Sequence, residues 1–175
     1  MTELAKIETQ VNVRIANIHD LDKVMELCLA AVEDNGFLEA TPQKLLQSIY
    51  PALTQEGGII GVIEEPDGVL SGGILLTVGS HWYSDATFLE EKSVFISKDF
   101  RAAKGGRAAR LVEFAKKAAD TLALPLLIGV LSSTRTEGKI RMYRRIFGEP
   151  QGAFFLYGAK TGANSGAITL EGVGG

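Results

Sequence analysis

The segment 100–115 constrains the fold of this chain most strongly, because it combines a strand end, a basic glycine loop and a helix start. The β-rich run 92–97 leads into it, and apolar residues at helical spacing follow it. A helix start offers main-chain N–H groups without intrahelical partners and the positive end of the helix dipole. Arg101, Lys104 and Arg107 add positive charge at three-residue spacing. The segment therefore predicts a site for a ligand that carries several phosphates.

The glycines of this loop favour a main chain that wraps around an anion. Gly105 and Gly106 permit positive φ angles and let a phosphate approach the backbone closely. No Gly-Lys-Ser/Thr sequence closes the loop, and the glycine spacing of the dinucleotide fingerprint is absent as well. The alternative interpretation is a glycine-rich surface turn with solvated cations. The glycines and charges together favour a polyphosphate cofactor.

Composition indicates one globular domain. The chain has 175 residues, of which 46% are hydrophobic and 22% are charged, enough for a sizeable core. Its net charge of −3 argues against a general nucleic-acid-binding protein. The lone Cys28 cannot form an internal disulfide, and neither a leader segment nor a membrane-spanning run is recognisable. We therefore expect a cytoplasmic protein that has no membrane segment and binds no metal.

Hydrophobic periodicity predicts alternating elements over most of the chain. Two apolar runs flank Pro66-Asp67-Gly68, which is a strong hairpin signal. The predicted order is β-α-α-β-β-β-α-β-α-β, an α/β (α+β) succession of about six to seven strands and about four helices. The predicted strands lie near 11–15, 58–63, 69–78, 89–97, 124–131 and 152–157, with a short seventh near 168–170 in a Gly-rich tail over 158–175.

The loop resembles the acyl-coenzyme A loop of the GNAT superfamily of N-acetyltransferases, whose pattern is Gln/Arg-x-x-Gly-x-Gly/Ala ahead of a helix. Gly106 and Ala108 match this pattern, and Leu111 follows as the start of the family's apolar pair. Ala103 stands where the family has Gln or Arg, and Arg101 is the nearest preceding basic residue. The resemblance implies one GNAT-like acyltransferase domain over 1–157, in which the helices flank a mixed, mostly antiparallel central sheet. It also implies acetyl-CoA as the acyl donor and a primary amine as the acceptor.

The resemblance also implies catalytic residues. The sequence around Tyr143 is similar to the family's last-helix signature, with Phe147-Gly148 in the inverted order. This likeness makes Tyr143 the candidate acid for the leaving thiolate, unless it only belongs to the apolar face of its helix. A glutamate on the fourth strand often acts as base in the family, and Glu90 or Glu91 could fill that place. Neighbouring strand residues face opposite sides. The separation from Ile96 favours Glu90.

Further residues follow from the same resemblance. The donor would be held by the fourth strand, by the glycine loop and by Thr136, which opens the last predicted helix in place of the family's Asn. The expected donor-binding residues are Phe95, Ile96, Ser97, Arg101, Lys104, Gly105, Gly106, Arg107, Ala108 and Thr136. On the acceptor side, Phe37, His81 and Trp82 are the candidates.

Two other classes of function remain open at this stage. The first is a catalytically inactive GNAT-fold module that binds coenzyme A or a protein partner. The second is a partner-binding or nucleic-acid-binding protein that uses the basic group 139–145, although the net acidity makes nucleic acid an unfavoured ligand. A homodimer is compatible with each class. The identity of the amine acceptor is not encoded in any motif of the sequence.

Overall fold

The computed structural model describes residues 12–35, 38–101, 105–131 and 136–157. Within them the chain forms five strands and four helices. The strands are β1 (Arg14–Ile15), β2 (Gly58–Glu64), β3 (Leu70–Ser80), β4 (Thr87–Ile96) and β5 (Leu126–Leu127). The helices are α1 (Leu21–Asn35), α2 (Pro42–Leu53), α3 (Arg107–Leu122) and α4 (Thr136–Phe147).

Local sequence signals account for the first helices. A 3-10 turn at Ile18–Asp20 precedes α1 and begins with a capping box, in which the Asn17 side chain accepts from the His19 N–H. The Asp20 carboxylate in turn accepts from the Asn17 N–H. Helix α2 begins at Pro42, where a missing N–H costs nothing, and runs through Pro51 to its end at Leu53.

The sheet has the strand order β1-β2-β3-β4-β5, in which β5 alone is parallel to its neighbour. The predicted hairpin is present: Gly68, with a φ of 80°, lies in the turn between β2 and β3. The described residues contain five strands rather than the predicted six to seven. Only Leu126–Leu127 of the predicted strand 124–131 is a strand, and the expected strand near 152–157 is wrong, because that exposed segment pairs with no strand. The predicted tail 158–175 lies outside the described residues.

Two hydrophobic cores cover the two faces of the sheet. Helix α3 packs on one face, where Phe114 is fully buried, and α1 and α2 pack on the other, around Ile49 and Phe95. Full burial of a phenylalanine contributes about 2–3 kcal/mol. Gly61 of β2 lets α3 approach closely, because a Cβ at that position would lie 2.7 Å from the Phe114 ring. The described helices include none that is long and apolar enough to cross a membrane.

Candidate functional site

A gap separates β4 and β5 over most of the length of β4. The two strands pair only at Leu89↔Leu126 and Glu90↔Leu127, and beyond these residues they separate. A cavity of about 600 Å³ occupies the gap. The β4 wall comprises Glu91, Ser93, Val94, Phe95 and Ile96, and the opposite wall comprises Gly129, Val130 and Leu131. The remaining walls come from the start of α3 and from one side of α4.

Main-chain N–H groups of β4 point into this gap. The Ser97 N–H donates to the Ser71 carbonyl of β3 at 3.0 Å. Successive residues of a strand alternate in direction, so the N–H and C=O of Ile96 and Val94 face away from β3. The Ile96 carbonyl is free to face away from β3, since it accepts a hydrogen bond from the Arg101 Nε at 2.9 Å. The Phe95 N–H faces β3, so the main-chain N–H groups of this part of β4 that face the gap are those of Val94 and Ile96.

Glu91 and Tyr143 meet in the cavity. The Glu91 carboxyl accepts hydrogen bonds from the Gly129 N–H and from the phenol of Tyr143. Burial raises the pKa of Glu91 to about 7, against the opposing influence of the Gly129 N–H, the Lys139 charge and the phenol. Burial, together with the Glu91 charge, holds the pKa of Tyr143 well above its usual value. At neutral pH this pair is a protonated phenol beside a carboxyl that is partly ionised.

A β-bulge decides which glutamate faces the cavity. Leu75 pairs with Ser93 and Leu76 pairs with Glu91, so Lys92 is an extra residue in β4. The extra residue shifts the alternation by one position and places Glu91 on the face of Ile96. The inference that favoured Glu90 is thereby corrected. Glu90 does not line the cavity, and its carboxylate forms an ion pair with Lys92.

The glycine loop ends at a left-handed helix cap. Gly106 has φ 58° and ψ 36°, and its carbonyl accepts the first intrahelical bond, from the Arg110 N–H at 3.0 Å. The N–H groups of Arg107, Ala108 and Ala109 thus lie in the turn that has no intrahelical acceptors. These three residues and Gly106 line the cavity, so the N-terminus of α3 opens onto it. The predicted helix start is therefore present and borders the cavity, while anion binding there stays a prediction.

The predicted phosphate-binding cations are engaged elsewhere. The Arg107 guanidinium binds the Glu65 carboxylate, with NH2 to Oε1 at 2.8 Å. The Arg101 guanidinium binds Asp34 of α1, where Lys98 also contributes a salt bridge at 2.8 Å. These cations lower the pKa of Asp34, with Lys98 having the larger effect. Arg101 and Arg107 therefore each form an ion pair within the protein, and both side chains border the cavity. Their contact with phosphates stays a prediction.

The other predicted residues are placed as follows. Thr136 is the first residue of α4, and Ser97 follows β4; neither lines the cavity, nor does Gly105. His81 and Trp82 lie at the tip of the β3–β4 hairpin outside the cavity, where Trp82 is 91% exposed and His81 stacks on Tyr83 at 4.8 Å. Lys104 and Phe37 lie outside the described residues.

Sequence reasoning missed Val94, Gly129 and Arg110. The roles of Val94 and Gly129 depend on main-chain direction, for which no side-chain signal exists. The Nε of Arg110 is buried without a hydrogen-bond partner, although the residue lies in the first turns of α3 after exposed and half-buried neighbours. Its position on the helix face of Arg107, three residues apart, was the available signal. No group of three or more His, Cys, Asp or Glu is arranged for metal binding in the part of the chain described above.

Comparison with solved structures identifies the fold. A possible acetyltransferase from Clostridium difficile is 18% identical, with a TM-score of 0.63, over 83% of this chain and 95% of that chain. An aminoglycoside 6'-N-acetyltransferase from Acinetobacter haemolyticus is 11% identical, with a TM-score of 0.60, over 85% of this chain and 97% of that chain. The enzyme AAC(6')-Iy, in complex with a bisubstrate analogue containing CoA, is 15% identical, with a TM-score of 0.61, over 83% of this chain and 95% of that chain.

These likenesses confirm the predicted GNAT fold, and at such identities they speak for the fold alone. No family model matches the sequence, and no curated protein matches it either. The structural features that agree with the predicted fold are the strand order, the gap between β4 and β5 and the packing of α3 across the sheet.

Proposed function

We propose that this protein is an N-acetyltransferase that moves an acetyl group from acetyl-CoA to a primary amine by direct transfer in a ternary complex. One observation carries the proposal: the Glu91–Tyr143 pair, the gap-facing N–H groups of β4 and the start of α3 border a single cavity. The Glu91–Tyr143 pair can move protons, the N–H groups of β4 can bind carbonyl oxygens, and the start of α3 can bind phosphates. Acetyl transfer from an acyl-CoA uses all three capabilities.

The donor would lie along the gap. Its diphosphate would accept hydrogen bonds from the N–H groups at the start of α3, with Gly106 leaving space for close approach. Its pantetheine arm would run between β4 and β5, which no longer bond to each other there. The N–H groups of Val94 and Ile96 would bind carbonyl oxygens of the arm or of the thioester, which would polarise the reacting carbonyl.

Glu91 would act as the base. A carboxyl with a pKa of about 7 is substantially ionised at neutral pH and can accept the proton of an attacking amine. A glutamate with the ordinary pKa of 4.5 would be a weaker base, because its pKa would be more than two units lower than that of Glu91. The Gly129 N–H would keep the carboxylate oriented while its protonation changes.

Tyr143 would act as the acid. As the amine nitrogen forms a bond to the acetyl carbon, the carbon–sulfur bond breaks and the thiolate needs a proton. The phenol would give its proton to sulfur and regain one from Glu91, which has just received the proton of the amine. The sum is one amide and one thiol, with no net proton released. The direct hydrogen bond between the two side chains favours this relay.

The acceptor is proposed only as a class, a primary amine. Two of the structural neighbours are named as an aminoglycoside N-acetyltransferase and as a complex with an acetylneamine analogue, which makes aminoglycosides one compound class to include in a screen. The exposed hairpin tip with His81 and Trp82 stays a candidate for contact with the acceptor, since it continues β4 at the end opposite the donor.

Thiol release tests the proposal. A panel of primary amines is incubated with acetyl-CoA and the protein, and free thiol is measured; Cys28 should not interfere, because burial raises its pKa to about 12. We expect release with at least one amine, and a loss of about 10²-fold or more in kcat for Tyr143→Phe. Tyr50→Phe, on an exposed α2 position, is the matched control. Donor binding without thiol release across the panel would favour the inactive module instead.

A further inference from the structure

A partly buried ionic cluster joins the start of α3 to the β2–β3 hairpin. The Arg107 Nε donates to the Glu65 Oε1 at 3.0 Å and to the Ser71 Oγ at 3.1 Å. Its guanidinium lies 5.0 Å above the centre of the Phe100 ring. The Arg107 side chain is only 12% exposed, and Ser71 is fully buried. Arg107 is therefore held from several sides, although the Glu65 side chain keeps contact with solvent.

The charge of Arg107 is already neutralised within this cluster. Hydrogen bonds from Ser71 and then from Arg107 lower the pKa of Glu65, so the carboxylate stays ionised near neutral pH. A charged pair in fixed geometry is costly to break, because a lone partner would remain desolvated. The guanidinium is therefore held by Glu65 and is not poised to turn towards a phosphate in the cavity.

The same cluster fixes both sets of N–H groups that border the cavity. Ser71 binds Arg107 through its hydroxyl and accepts the Ser97 N–H through its main-chain carbonyl. The first contact anchors the first residue of α3. The second sets the alternation that turns the Ile96 N–H into the gap. A displacement of Ser71 or Glu65 would thus move the α3 amides relative to those of β4.

We propose that Arg107 is a positioning residue that holds the α3 amides in place for the donor's diphosphate by binding Glu65 and Ser71. This inference rests on the proposed function, since it assigns the role of Arg107 within the same site. It reverses the role that the sequence indicated, in which Arg107 contacts the phosphates directly.

The two roles predict opposite results for Glu65→Gln. If Arg107 positions the helix start, loss of the Glu65 charge loosens α3 and weakens acetyl-CoA binding by about ten- to a hundredfold. If Arg107 is a phosphate ligand held back by Glu65, the same change frees the guanidinium and tightens binding. The test is calorimetric titration of acetyl-CoA into the wild type, Glu65→Gln, Ser71→Ala and the charge exchange Glu65→Arg/Arg107→Glu. Glu149→Gln, which disrupts the exposed Arg144–Glu149 pair, is the matched control.

A second acetyl donor distinguishes a positioning role of Arg107 from a general loss of structure in the variant. S-acetylpantetheine carries the thioester and the arm but lacks the diphosphate. We expect Glu65→Gln to raise KM for acetyl-CoA about tenfold or more while leaving kcat/KM for S-acetylpantetheine within about twofold. We expect the charge exchange to restore part of the affinity for acetyl-CoA. Equal losses with both donors, or tighter acetyl-CoA binding in Glu65→Gln, would overturn the inference.

Hydrogen exchange tests the inference without any donor. In the free protein, Glu65→Gln should speed exchange of the amides at 110–112, the first of α3 with main-chain acceptors, about tenfold or more, while those at 114–119 keep their protection. Unchanged exchange at 110–112 would overturn the positioning role whether or not the protein binds acetyl-CoA. If exchange is faster in Glu65→Gln but the wild-type protein fails to bind acetyl-CoA, Arg107 still positions the helix start through Glu65 and Ser71. Only the proposed function is then rejected.

Discussion

The phenol of Tyr143 donates a hydrogen bond to the carboxyl group of Glu91 inside the cavity between β4 and β5. The two groups therefore titrate as a coupled pair. Glu91 has the pKa nearest to neutrality, and Tyr143 keeps its proton over the physiological range. The pair links a candidate base to a candidate acid through one contact, which makes its pH dependence the most informative property of the site.

The first prediction concerns the pH–rate profile. With an acceptor amine whose own pKa lies well below the measured range, kcat/KM should rise through about pH 7 as Glu91 ionises. Glu91→Gln should abolish this rise and lower the plateau about 10²-fold. Glu90→Gln is the control, because Glu90 pairs with Lys92 outside the cavity. A rise near pH 7 that persists in Glu91→Gln would assign the titration to another group.

The second prediction concerns stability against pH. The pKa of Glu91 is about 7 in the folded state and near its ordinary 4.5 in the unfolded chain. Between these values the folded state retains a proton that the unfolded state releases, so the free energy of unfolding falls as pH rises through this window. Glu91→Gln should remove this fall. The stability of the variant relative to the wild type should therefore be about 3 kcal/mol more favourable at pH 8 than at pH 4. Urea unfolding measures both differences; equal values would contradict the raised pKa.

The third prediction concerns Gly106. Its left-handed φ of 58° disfavours any residue with a Cβ, although no atom lies within 4 Å of the position that a Cβ would take. Gly106→Ala should therefore cost about 1–2 kcal/mol through backbone strain, and Gly106→Asn should cost less. Both side chains would project beside the N–H groups of α3 and weaken acetyl-CoA binding. Gly152→Ala, at an exposed site outside the cavity, should change neither property.

The fourth prediction concerns the packing that holds β4 in place. A Cβ at Gly73 of β3 would lie 2.6 Å from the Phe95 ring, so Gly73→Ala should destabilise the fold by about 1–3 kcal/mol. Adding Phe95→Leu should recover part of this loss, since the smaller side chain relieves the overlap. Gly79→Ala meets only ordinary contacts at 3.7 Å and is the control in thermal unfolding. Additive losses in the Gly73→Ala/Phe95→Leu double variant would contradict the direct clash.

Much of the fold was predictable because its signals are local. Helical periodicity, the Thr41-Pro42 start and the turn at 66–68 depend on neighbouring residues alone, and all three appear in the structure. Gly105 and Gly106 likewise indicate the positive φ angles that precede α3. The strand expected over 152–157 failed because β-propensity does not supply a pairing partner.

The site was less predictable because its decisive contacts are distant in sequence. Arg101 binds Asp34 and Arg107 binds Glu65, across 67 and 42 residues, and no local pattern reveals that these cations are paired. The choice between Glu90 and Glu91 depended on a bulge at Lys92. One extra residue reverses the parity of a strand, and the alternation rule then selects the wrong neighbour.

The central claim is that the gap between β4 and β5 binds an acyl-CoA through the amides at the start of α3. Calorimetric titration of acetyl-CoA into the wild-type protein tests it most directly, with adenosine diphosphate and S-acetylpantetheine as part-ligands. We predict saturable one-to-one binding of acetyl-CoA, weaker binding of each part-ligand, and a weakened acetyl-CoA affinity in Gly106→Ala. Absence of heat from acetyl-CoA at millimolar concentration would contradict the claim.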